Sequence, residues 1–277
     1  MSEQVAPTKG LAAALRAVAV AIGSVGGLSA GAYGLLSTQS KRARTVIGVP
    51  RERPHNADGV YLPNGAGPVA RGEALVFAVF GDSTAAGLGA ESADRLPGVV
   101  LARGLAEELG SAVRLVTHAV SGSRTTHLAG QVDAALTDPP HVALVLVGGN
   151  DVTARLGIGE SAALLAAQVD RLVRAGVAVL VGTCPDLGTV RPLPQPLREV
   201  ARRYSRALAR AQAKALIGSG ARVVPMAALL TAHFRERHDE LFSPDRFHPN
   251  GAGYALAADV LLAPLCAATG LWEGRTG

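Results

Sequence analysis

The sequence predicts an α/β fold built on a parallel, doubly wound sheet. Three observations carry this. Short, wholly apolar runs recur along the chain, helical patterns fill the gaps between them, and small or polar residues follow the runs. Apolar strands without polar alternation fit a sheet covered by helices on both faces. Regular strand–helix alternation argues for parallel pairing. Right-handed crossovers then bring the carboxyl ends of the strands to one rim.

Five strands are expected, at Ala74–Phe80, Arg114–Val120, Val142–Val147, Val177–Gly182 and Arg222–Pro225. Helical periodicity falls near Gly98–Leu109, Thr126–Leu136, Ser161–Ala175, Pro196–Ile217 and Ala252–Leu262. These elements make up one domain over residues 72–277. A composition of 48% hydrophobic and 18% charged residues suits such a domain with some extra sequence.

That extra sequence lies at the start. Residues 1–44 read as a signal or anchor segment, because Ala17 to Leu36 carries no charge and basic residues flank it on both sides. About twenty uncharged residues can span a bilayer as a hydrophobic helix. Two readings stand side by side: an uncleaved anchor, and a secretory signal ending near Ala30-Gly31-Ala32. Either one implies an exported or membrane-anchored protein of the cell envelope. Residues 45–71 read as a linker, with Pro50, Pro54, Pro63 and Pro68 and little periodicity. Such a stretch is a spacer or a segment wrapped on the domain surface.

The net charge of +5 is diffuse, and no aromatic-interleaved basic patch accompanies it, so no nucleic-acid partner is expected. Arg198, Arg202, Arg206, Arg210 and Lys214 recur at four-residue intervals, a basic stripe that could meet anionic lipid or glycan but reads first as a solvated helix face. Cys184 and Cys266 form no metal or redox motif. His233 and His238 are five apart, off the spacing that puts two ligands on one helix face. No metal and no cofactor is expected.

The chemistry-bearing residues follow the strands. Gly81-Asp82-Ser83-Thr84 ends the first, Ser121-Gly122 follows the second, and Gly148-Gly149-Asn150-Asp151 follows the third. Asp245-Arg246-Phe247-His248 precedes the last helix. A serine hydroxyl is a poor nucleophile until a base takes its proton. His248 is the candidate base for Ser83. Asp245, three residues earlier, can hold the imidazole tautomer. Gly122 and Ser83 through backbone N–H groups, and Asn150 through its amide, are candidate oxyanion donors. Asp82 and Asp151 are assigned to turn structure, since neighbours on a turn point apart.

In order and spacing these four blocks resemble those of the SGNH (GDSL) hydrolases, over roughly Ala74 to Leu262. The likeness is to exported or membrane-tethered actinobacterial members. The resemblance implies a flavodoxin-like three-layer α/β/α sandwich. It implies Ser83, His248 and Asp245 as a triad, with Ser83, Gly122 and Asn150 as the oxyanion hole. It implies an esterase or lipase acting on a small-molecule or lipid acyl ester. Acyl transfer, or deacetylation of an envelope glycan or lipid, is the alternative chemistry. A non-catalytic binding module on the same fold is the alternative from outside enzymology.

Overall fold

The computed structural model describes residues 31, 33–43, 45–48, 54–69 and 74–270. Its strands are β1 (Gly59–Tyr61), β2 (Leu75–Gly81), β3 (Val113–Thr117), β4 (Val142–Leu146), β5 (Ala178–Gly182) and β6 (Arg222–Val224). They form one sheet in the order β1-β3-β2-β4-β5-β6. Strands β2 to β6 pair in parallel and are the five expected from the sequence.

The sixth strand corrects the strand count. β1 pairs antiparallel with β3 on the sheet edge and arises from the stretch read as linker. Three residues are too few to show a period of two, so the strand has no sequence signal of its own. Tertiary contacts make it: Tyr61 is wholly buried, its hydroxyl donates to the Ala57 carbonyl, and the Asp58 carboxylate accepts from the Thr117 N–H.

The helices include α1 (residues 33–43), α2 (Pro97–Leu109), α3 (Leu128–Ala135), α4 (Gly149–Ala154) and α5 (Ile158–Arg174). They continue with α6 (Leu197–Ala215), α7 (Met226–Glu236), α8 (His238–Leu241) and α9 (Gly251–Ala268). Strand alternation distributes the sheet between two cores. Phe77, Val79, Leu144 and Leu180 point to the side of α2, α7 and α9. Ala78, Phe80, Val145 and Val181 point to the side of α3 and α5. Both faces are therefore apolar, which produces the continuous apolar runs and the three-layer sandwich.

Most of the segment read as signal or anchor, residues 1–30, lies outside the described residues. Its end enters α1, where the Gln39 amide hydrogen-bonds to the Gln195 carbonyl and the Leu197 N–H at the start of α6. Among the described residues one helix, Gly251–Ala268, is long and apolar enough to cross a membrane. Leu261 and Leu265 of that helix are fully buried in the core, so we read it as a core helix. The basic stripe of α6 is only partly solvated. Arg198 donates to the carbonyls of Arg191 and Leu193, Arg202 pairs with Glu199, and Arg206 pairs with the buried Asp186.

Candidate active site

Ser83 sits in the turn that leaves β2. The turn depends on Gly81, whose φ is +134° and where an added Cβ would lie 1.8 Å from the Leu146 carbonyl oxygen. Only glycine lets the chain bend this close to β4. The Gln131 side chain then grips Gly81 from both sides, accepting from its N–H at 2.8 Å and donating to its carbonyl at 2.9 Å.

His248 reaches Ser83 from the loop before α9. Its Nε2 lies 3.0 Å from Ser83 Oγ, and its Nδ1 lies 2.6 Å from Asp245 Oδ2. The other carboxylate oxygen, Oδ1, accepts from Ser243 Oγ and from the N–H groups of Phe247 and His248. Burial pushes the Asp245 carboxyl up, but these donors, the imidazole foremost, outweigh it and hold it at about 2. The loop is closed at its base, where Ser243 N–H donates to the His248 carbonyl and Phe242 bridges to Pro249.

Asn150 lies in the first turn of α4 and lines the same cleft as Ser83. Its amide donates to the Ser123 carbonyl at 2.9 Å, which ties it to the loop after β3. Gly122, in that loop, has a φ of +83° and open space around it. It lines an adjoining open groove with His118, Ser121 and His127 rather than the Ser83 cleft itself.

Asp82 bonds within its own turn, whereas Asp151 lies in α4 and reaches other elements. Asp82 accepts from the Thr84 N–H, and burial pushes its carboxyl up to about 6. Asp151 is fully buried and accepts from Thr125 N–H, Thr125 Oγ1 and Ser161 Oγ, anchoring the Gly122 loop to α4 and α5. His141 and His127 accept backbone N–H bonds from Val76 and Arg124 through Nδ1, and His118 stacks on Phe80.

Sequence reasoning passed over Gln131 and Ser243. Gln131 had one signal: it shares a buried helical stripe with Leu128, Val132 and Ala135. A polar side chain on such a stripe needs internal partners. It also passed over α7, and with it a cavity of about 110 Å³ that runs from Ser83 and Asn150 into the core. The arrangement can pass a proton from Ser83 to His248, stabilise the resulting cation on Asp245, and receive an apolar group beside the serine.

Residues 79–256 match the GDSL-like lipase/acylhydrolase family. The GDSL-like esterase Rv1075c of Mycobacterium tuberculosis is 46% identical over 256 residues, covering 90% of this chain and 81% of that protein. Among solved structures, TesA aligns with a TM-score of 0.58 at 21% identity, covering 70% of this chain and 99% of its own. A lipase from a goat rumen metagenome aligns at 0.56 and 20%, covering 69% and 97%. An acetylxylan esterase from Geobacillus stearothermophilus aligns at 0.52 and 19%, covering 70% and 95%. The structural likenesses agree on the fold, and the family match runs from the strand that leads to Ser83 into the helix that follows His248. The chain therefore belongs to the GDSL-like lipase/acylhydrolase family and is a carboxylic ester hydrolase.

Proposed function

We propose that the protein cleaves acyl esters with Ser83 as nucleophile, His248 as general base and Asp245 as the acid that orients it. One observation carries the reading: an unbroken relay of hydrogen bonds from Ser83 Oγ through both imidazole nitrogens to the Asp245 carboxylate. Ser83 Oγ bonds to the ester carbonyl carbon as its proton passes to His248 Nε2. The imidazolium so formed rests against a carboxylate held ionised by four donors.

The carbonyl oxygen becomes an oxyanion facing the Ser83 N–H and Asn150, with the Gly122 N–H on the adjoining loop as the third candidate donor. Asn150 has a second amide hydrogen beyond the one given to Ser123. The bond to the alcohol then breaks, and Nε2 returns the proton to the departing oxygen. Water repeats the sequence on the acyl-enzyme and frees the acid.

A carbohydrate ester is the second reading for the alcohol side. The open groove around Gly122, with His118, His127 and Ser121, supports it by giving a polar alcohol room beside the serine. The uncharged stretch from Ala17 to Leu36, with its basic flanks, supports a place in the cell envelope for the whole chain.

The test is covalent labelling of the full chain by a fluorophosphonate, with Ser83→Ala as control. Labelling of the wild type alone is expected. Equal labelling of both, or no labelling of a folded wild type, would sink the nucleophile assignment and favour a binding module.

A further inference from the structure

The cavity beside Ser83 is walled by two helical stripes. Met226, Leu230 and Phe234 recur every four residues on α7, and Ala257 and Leu261 lie one turn apart on α9. Leu146 of β4 closes it on the sheet side. The stripe residues belong to, or pack against, the core between the sheet and α2, α7 and α9. The space is therefore a gap in the hydrophobic core that opens at the candidate nucleophile.

Beyond Asp82, Ser83, Thr84 and Asn150 at the serine end, its polar groups are already engaged. Asp186 accepts from Arg206 and from the Gly188 N–H. The hydroxyls of Thr183, Thr189 and Thr231 donate to the carbonyls of Val224, Asp186 and Ala227. Beyond the serine end a polar ligand would find few free partners and would lose its own hydration. A hydrocarbon chain loses nothing and gains apolar burial.

We infer that this cavity holds the acyl chain of the ester and that the protein prefers medium-length aliphatic acyl groups over acetyl, with Ala257 as a specificity-determining residue. The inference rests on Ser83 being the nucleophile. From Met226 to Phe234 the α7 wall spans about 12 Å at about 1.5 Å per residue. A chain of roughly eight carbons fits that depth, because each bond of about 1.5 Å advances an extended chain by somewhat less than its length. Ala257 has the smallest side chain of these two stripes, and a large residue there would intrude on the chain's path.

The experiment measures kcat/KM of the full chain on p-nitrophenyl acetate, butyrate, hexanoate and octanoate, for wild type and Ala257→Phe. Wild-type kcat/KM is expected to rise up to about fourfold per added methylene. The variant's ratio of octanoate to acetate is expected to fall at least roughly tenfold, the loss of two or more methylenes of burial. A wild-type series that is flat or falls from acetate overturns the inference, as does an unchanged ratio in a folded variant. Should Ala257→Phe fail to fold, the wild-type series alone decides. Labelling by a methyl fluorophosphonate separates the two claims. A labelled enzyme with a flat series removes only the acyl pocket, and a folded enzyme without labelling removes the Ser83 assignment itself.

Discussion

Asp245 and His248 are bound to each other twice. The carboxylate takes the imidazole Nδ1 at 2.6 Å through one oxygen and the His248 backbone N–H at 2.9 Å through the other. The residue that orients the ring therefore also fixes the backbone that carries it.

Asp245→Asn tests both roles. Loss of tautomer control is expected to lower kcat by roughly ten-thousandfold. Near-normal turnover on a p-nitrophenyl ester would instead leave a Ser–His pair working without an acid. The same carboxylate gives a pH signature. Its folded value of about 2 lies below its ordinary 3.8, so it contributes stability above pH 4 that is lost as the pH falls toward 2. The contribution is about 2 kcal/mol. Chemical denaturation at pH 5 and pH 2.5 should show wild type losing its advantage over Asp245→Asn.

Asp82 has the opposite sign. Burial raises its carboxyl to about 6, so the folded protein holds this proton more tightly than the unfolded chain does. Stability from this group falls as the pH rises from 4 to 6 and stays lower above that. A rise of about two pKa units corresponds to about 3 kcal/mol. Asp82→Asn keeps an oxygen for the Thr84 N–H and removes the buried charge. The variant should melt higher than wild type at pH 8 and no higher at pH 4. A lower melting temperature at pH 8 would mean that the ionised form is needed by the fold.

Much of the candidate site was legible because each of its side chains follows a strand end or opens a helix. Ser83, Gly122 and Asn150 are placed by the carboxyl ends of β2, β3 and β4, and Asp245 and His248 by the loop before α9. The cavity beside Ser83 was not legible, because it needs α7. The stripe Met226, Leu230, Phe234 sits in an alanine- and leucine-rich run close behind the short β6, where local pattern alone gave no separate helix. β1 was hidden for a different reason: the Gly59–Tyr61 segment becomes a strand only by meeting the edge of β3.

Gln131 links two parts of the site that are remote in sequence. It holds Gly81, two residues before Ser83, and also donates to Ser123 Oγ, one residue after Gly122. Gln131→Leu keeps the bulk on the buried stripe and orphans these polar groups, at about 1–3 kcal/mol for each that stays dry. A melting temperature lower by several degrees is expected, together with a fall in kcat/KM as the serine turn and the Gly122 loop lose register. Lower stability with unchanged kcat/KM would make Gln131 a structural residue only.

Asn150 separates charge stabilisation from folding. Its amide bonds to one backbone carbonyl and faces the Ser83 cleft, on a helix start that is only half-buried. Asn150→Ala therefore removes one modest hydrogen bond from the fold, worth about 1 kcal/mol. If the amide meets the oxyanion, it is needed only once charge develops, and kcat should fall about a hundred- to a thousandfold with KM little changed. Asn150→Asp would add a stronger cost, because a carboxylate there repels the oxyanion. A variant that raises KM and spares kcat would assign Asn150 to ground-state substrate binding instead.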